Sequence, residues 1–390
     1  MSPRFSLVYP TRHRPEFLAQ AIAYLEQQSF DEFEVIVSDN WVDPALSCEE
    51  ICRNSALQNL QYVRPTKPVG MVENWNFAAG HATGEYVAVF TDKMFLLPDA
   101  LERVVRALHD QGGSAPDIVS WTSDSYQPAS YADYFGSGTY TAVQSDVVSR
   151  DSVIRYEPRD ALNDKVKGLR SRYEQTPSQY CRGKIVFGMY HRNLIERIVT
   201  ECGQLFHDIS PDYTSMILAL SLANSAVELK SSAVVSMNTD LSNGLLGANH
   251  DQHALGYLRS LSSEPEVFLQ NMLVPGMYAA QHNVVSHDYL SLQRRFSLPF
   301  DFDRLNWLGY CIEDLSKPDR VWSSPAIEEE QMGLMYEFMK SLAPAEQMRV
   351  IARLEQRASE RPASGVAAGQ ILTWQSKTLA NALLRRCNWR

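Results

Sequence analysis

Short apolar runs alternate with amphipathic stretches over the first 120 residues, with few residues between them. Phe5 to Tyr9 is an apolar run that stops at Pro10. Glu34 to Ser38 is a second, rich in Val and Ile, that ends at Asp39-Asn40. Leu60 to Val63 and Tyr86 to Phe90 repeat the pattern. Apolar runs this short, bounded by turn residues, predict strands with both faces covered. Between the first two, Phe17, Leu18, Ala21, Ile22 and Leu25 share one face at helical spacing after Pro15. Further helices are predicted near Ala45 to Leu57, over Met71 to Ala82, and after Pro98, where Leu101, Val104, Val105 and Leu108 face inward. This alternation specifies an α/β fold: a mixed, mainly parallel sheet with helices on both faces.

Past Trp121 the periodicity fades. Residues 122–180 are rich in Tyr, Ser, Asp and Gly and read as an extended insertion or lid. Regularity returns at Ile185 to Tyr190, in a helix near Asn193 to Glu201, in a helix starting at Pro211, and in a strand over Ala226 to Val235. From about residue 260 the chain reads as helical, with one apolar stripe made by Leu334, Met335, Phe338, Met339 and Leu342. Residues 357–369, polar and small, read as a linker to a final helix. The expected division is a domain over 1–250, including that insertion, and a mainly helical region over 251–390.

Composition narrows the partners. The 390 residues carry 36 Lys and Arg against 46 Asp and Glu, a net charge of −10, which argues against broad binding to nucleic acid. No stretch approaches the ~20 apolar residues that span a bilayer. The N-terminus runs into a strand without the pattern of a secretory signal. The six cysteines are scattered. Cys48 and Cys52 stand four apart, but no second pair completes a zinc site, so they read as plain thiols of a reduced, cytoplasmic protein.

Candidate chemistry clusters at the C-terminal ends of predicted strands, the edge where open α/β sheets bind ligands. Pro10-Thr11-Arg12-His13-Arg14-Pro15 follows the first strand, and its exposed backbone could cradle a base or ribose; it is equally a plain strand-to-helix connection. Asp39 ends the second strand, where a carboxylate can accept a base N–H, though Asp is also a good turn residue. The strand at Tyr86 delivers Asp92 and Lys93 to the same edge. There a carboxylate can hold a divalent ion and a lysine can neutralise phosphate. Ser210-Pro211-Asp212 makes a good helix start in its own right, and Asp212 is also a candidate general base.

The order of these elements resembles the family 2 glycosyltransferases, whose N-terminal domain has the GT-A fold. Residues 6–40 look like that family's opening strand, Pro-Thr loop, helix and base-binding Asp strand. Residues 69–101, with Asn76, Ala82, Gly84 and Glu85 at the expected spacings, look like its central segment and metal-motif strand. Residues 210–223 sit where the family places its base motif and the following helix. The resemblance implies an inverting, nucleotide-sugar-dependent transferase acting on a hydroxyl of a glycan or lipid-linked acceptor, as in cell-surface polysaccharide synthesis. Residues 122–180 then lie on the acceptor side.

By the resemblance, Pro10, Thr11, Asp39 and Asn76 belong to the nucleotide site, with a UDP-sugar the expected donor. Asp92 matches the diphosphate-metal motif for Mg2+ or Mn2+, and Asp212 the base. His250, at the end of a glycine-containing loop from Ser242, could reach the ion if that loop closes over the donor; the loop is equally an ordinary surface connection. Two departures stand out. The metal motif reads Thr91-Asp92-Lys93, with one carboxylate and a cation beside it, so Lys93 is a candidate substitute for part of the metal's charge. The base motif reads Pro211-Asp212. The Gln-x-x-Arg-Trp signature of processive synthases is absent.

The rival readings are a non-catalytic binding module on the same fold and a nucleotidyltransferase. The second is disfavoured because residues 10–15 contain no glycine. Arg385 to Arg390 form a basic, aromatic tail, read as a solvated helix end or a weak contact with anionic lipid at the membrane periphery.

Overall fold

The computed structural model describes residues 3–109, 115–143, 153–168, 175–262, 264–360 and 371–387. Strands β1 (Phe5–Thr11), β2 (Phe33–Asp39), β3 (Leu60–Val63) and β4 (Tyr86–Val89) lie side by side in the order β3-β2-β1-β4, all parallel. Every residue of β1 and β4 is buried, as expected for strands covered on both faces. The helix Pro15–Leu25 lays Phe17, Leu18, Ala21, Ile22 and Leu25 against the sheet. Its start follows from Pro15, which suits the first turn and biases Arg14 away from helical backbone.

Beyond β4 the sheet becomes mixed. β5 (Met94–Leu96) pairs with β10 (Ala226–Met237). β6 (Ile118–Ser130) runs parallel to β10, and β8 (Val153–Tyr156) antiparallel to it. β9 (Gly188–His191) bridges β4 and β6, antiparallel to both. β6 turns directly into β7 (Asp133–Val143), and β11 (Ile371–Ser376) adds to the far edge of β7. The stretch expected as an irregular insertion therefore contains a long β-hairpin. Its period was hidden because β6 buries polar side chains as well as apolar ones: Thr122 bonds Ser232, and Asp124 bonds Tyr140.

Several other expectations change. The helix read over Ala45 to Leu57 is a 3₁₀ turn, Pro44–Leu46, followed by the short helix Glu49–Arg53. Asp43 accepts from Ala45 N, and Asp39 from Cys48 N, so local side-chain bonds break it up. The glycine-containing segment after Ser242 is not a loop but the helix Asn243–Asn249, continued by Asp251–Leu261. The final segment is more than a helix after a linker: residues 357–360 extend the helix Pro344–Glu360, and β11 precedes the last helix, Leu379–Cys387. Arg386 is buried and ion-paired with Asp124 at 2.6 Å, so that part of the basic tail faces the sheet rather than solvent. Residues 388–390 of the tail and 361–370 of the linker lie outside the described residues.

The C-terminal region is mainly helical, and the expected stripe lies on Pro325–Ser341, with Met335 buried. Among the described residues no helix is long and apolar enough to cross a membrane.

Candidate active site

Thr11 and Asp39 are register partners at the C-terminal ends of β1 and β2, and both are buried. Asp92, three residues past the end of β4, meets them: Thr11 Oγ1 donates to Asp92 Oδ2 at 2.8 Å. Parallel pairing thus brings Pro10, Thr11, Asp39, Asp92 and Lys93 to one edge of the sheet. The carboxylate of Asp39 is used unevenly. Its Oδ2 accepts from Cys48 N at 2.6 Å and Tyr62 OH at 3.1 Å, whereas Oδ1 is buried without a partner. Leaving a buried acceptor unmade costs about 1–3 kcal/mol, so Oδ1 is poised for a donor from outside the chain. Burial pushes the Asp39 carboxyl above its ordinary range, against the opposing bonds from Cys48, Tyr62 and Ser47 and the charge of Arg64. The Arg64 guanidinium covers the Trp41 ring at 3.4 Å. His13, with backbone in the left-handed region, accepts Val42 N at its Nε2 and so ties the loop after β1 to the loop after β2.

Asp92 is fully engaged by the protein. Besides Thr11 on Oδ2, Arg14 Nη1 lies 3.2 Å from Oδ1, and Arg14 Nη2 donates to Leu241 O at 2.7 Å. Lys93 is half-buried; burial, then the charge of Arg14, lowers its pKa to about 8, with Asp92 opposing. A divalent cation needs several oxygen ligands at about 2.0–2.6 Å. Here one carboxylate is present, both of its oxygens are bonded, and two cationic side chains stand beside it. Among the described residues the only group of three potential ligands is Asp208, His287 and Asp288, which includes neither Asp92 nor His250. Asp208 is paired with Arg295, and Asp288 accepts Ile209 N and Ser210 N. The residues at Asp92 do not fit a divalent cation. His250 lies between two helices, its ring edge-on to His253 and its backbone bridged to Val321.

The third element is the helix Pro211–Leu222, with Asp212 in its first turn. Ser210 makes no capping bond through its side chain. The remote Asp288, on the helix Gln281–Phe296, takes the backbone N–H groups of Ile209 and Ser210 instead. Asp212 is partly exposed and faces Lys184, whose buried ammonium lies 3.7 Å from Asp212 Oδ2 and over the rings of Tyr180 and Tyr213. Burial opposes that charge, but Tyr180, Tyr213 and Asp212 hold the Lys184 pKa above the ordinary lysine value. A cavity of about 50 Å³ is lined by Lys184 and Tyr213 together with Tyr289, Trp307 and Tyr310. The neighbouring candidates are occupied: Asp208 by Arg295 at 2.6 Å, and His207 by Gln204 O and Arg295.

Asn76 is a brace. Its amide donates to Val72 O and Phe206 O and accepts Phe206 N, fixing the helix Met71–Ala79 to the segment that leads to Asp212. The sequence did not single out Arg14, Lys184 or Asp288. Arg14 lies inside the loop already flagged after β1, so its position was visible although its partner was not. Nothing in local spacing marks Lys184 or Asp288, because their contacts are with remote segments.

Residues 6–164 match the family model described as glycosyl transferase family 2. No curated protein sequence matches the chain. Among solved structures the chain is similar to residues 1–349 of S. aureus TarS, at 16% identity and a TM-score of 0.43, covering 93% of this chain and 93% of that one. The same fragment in complex with UDP-GlcNAc gives 15% identity and 0.43, again with 93% of each chain covered. The mannosyltransferase PcManGT from Pyrobaculum calidifontis, in complex with GDP-Man and Mn2+, gives 14% identity and 0.40, covering 92% of this chain and 87% of that one. The match to the glycosyl transferase family 2 model thus falls on the segment that holds the parallel strands β1 to β4 and their converging ends.

Proposed function

We propose that the protein is an inverting glycosyltransferase that moves a sugar from a nucleoside diphosphate donor, a UDP-sugar, to a hydroxyl of a glycan or other acceptor. The observation that carries this reading is the orphaned Oδ1 of buried Asp39, set beside Thr11 at the sheet edge. A uracil N3–H is a donor of the right kind for that oxygen, and the backbone at Pro10 and Thr11 lies next to it for the ribose. The diphosphate then falls at the edge that holds Lys93, whose charge meets the negative charge building on the leaving group. Asp212 takes the proton of the acceptor hydroxyl. The hydroxyl oxygen forms the new bond to the anomeric carbon as the bond to the diphosphate breaks, and the electron pair leaves with the nucleotide. Attack opposite the leaving group inverts the anomeric configuration.

Incubation with a panel of nucleotide sugars, following nucleotide release and the configuration of the released or transferred sugar, tests the proposal. Release of UDP with inversion is expected. Tight UDP binding with no release from any donor favours a non-catalytic module, and retention of configuration rules out the single displacement.

A further inference from the structure

We propose that Arg14 takes the place of the divalent cation at the diphosphate subsite, so that donor binding is independent of metal; this rests on the nucleotide-sugar reading above. The residue that matches the metal motif, Asp92, holds a guanidinium: Arg14 Nη1 is 3.2 Å from Oδ1, while Thr11 Oγ1 occupies Oδ2. The guanidinium is fixed from two sides, by Asp92 and by the carbonyl of Leu241 in the segment after β10. It is not sealed off. The Arg14 side chain is 24% exposed, and a guanidinium has five N–H donors, of which these two bonds use two.

The local sequence produces this placement. Pro15 keeps Arg14 in non-helical backbone at φ −136°, one residue before the helix, so the side chain starts at the sheet edge rather than on the helix surface. Lys93 adds a second cation directly beside Asp92 in the chain. A metal on Asp92 would have to displace Arg14 and sit beside Lys93, and among the described residues no group of three potential ligands includes Asp92. Arg14 and Lys93 thus bring positive charge to this edge without an ion. A planar fork also suits phosphate oxygens, which it can bond in pairs.

The test is UDP binding by calorimetry in EDTA and in excess Mn2+. The wild-type protein should bind UDP with affinities within about twofold in the two buffers. Arg14→Met should weaken binding in EDTA by about tenfold or more, the loss expected for a charge-assisted bond, and Mn2+ should recover part of it by using the released Asp92. Arg14→Lys, which keeps the charge, should bind UDP in EDTA more tightly than Arg14→Met. Melting curves of both variants check that they fold, and the wild-type comparison stands if neither does. A tenfold or greater loss of wild-type affinity in EDTA overturns the inference, as does a folded Arg14→Met that binds UDP like the wild type without metal. Absence of UDP binding in both buffers overturns the nucleotide reading and this inference with it.

Discussion

The ammonium of Lys184 lies 3.7 Å from Asp212 Oδ2 and 4.0 Å from the ring centroids of both Tyr180 and Tyr213. The lysine is buried, so its charge depends on these three neighbours, while Asp212 keeps one side toward solvent. The arrangement holds a carboxylate in place by a cation that cannot itself reach the surface.

Lys184→Met should therefore separate stability from activity. Asp212 is partly exposed, so removing the ammonium strands no buried charge, and an apolar chain of similar length among the aromatic rings should cost little stability. Asp212 would lose its anchor, and turnover should fall by about tenfold, the cost of a base no longer held in geometry. Thermal melts and initial rates of UDP release measure the two effects. A large drop in Tm with unchanged kcat would mean that Lys184 serves the core alone.

The nucleotide site should depend on pH from two sides. Burial raises the Asp39 carboxyl above the ordinary range, so as pH falls it takes up a proton earlier than a free aspartate and loses its capacity to accept from the base. Lys93 has its pKa lowered to about 8, so as pH rises through that value it loses the charge that meets the diphosphate. UDP affinity should pass through a maximum between these limits. Asp39→Ala should weaken UDP by about tenfold at neutral pH without unfolding the protein, and Lys93→Ala should lower affinity at neutral pH and flatten the alkaline limb while leaving the acid limb in place. An affinity unchanged in Asp39→Ala would remove the base contact.

The far edge of the sheet carries a different test. Asp124 is fully buried in β6 and accepts from Tyr140 OH, Val143 N and Arg386 Nε. Arg386→Met would take from the carboxylate the cation paired with it among the described residues, and stranded buried charges cost about 3–5 kcal/mol. Urea unfolding should show a clearly lower midpoint, with UDP affinity unchanged because the nucleotide edge lies on other strands. A midpoint equal to that of the wild type would show that the final segment is dispensable for stability.

These residues also mark what could be read from the chain alone. The parallel strands β1 to β4 were legible because they are continuous apolar runs bounded by turn residues, and Thr11, Asp39 and Asp92 followed as their end residues. The β6–β7 hairpin was not, since Ser120, Thr122 and Asp124 satisfy their polar groups inside the sheet and erase the alternation. β11 was missed for a related reason: its partner β7 lies more than 200 residues earlier, and no local period reports such a pairing. Arg14 and Lys184 acquire their roles only when distant carboxylates arrive. Conversely, the helix start at Pro211 was correctly placed by local chemistry, but the two residues before it are held by Asp288, 78 residues later than Ser210.

The assignment of Asp212 as the base is the centre of the account, and one comparison tests it most directly. Rates of UDP release from the preferred UDP-sugar should be measured for Asp212→Asn and Asp208→Asn, together with the UDP affinity of each. A positioned base contributes about 10²–10⁴-fold, so Asp212→Asn should lose that factor with UDP affinity nearly intact. Asp208→Asn should lose far less, its carboxylate being committed to Arg295. A fully active Asp212→Asn, or a larger loss in Asp208→Asn, would contradict the account.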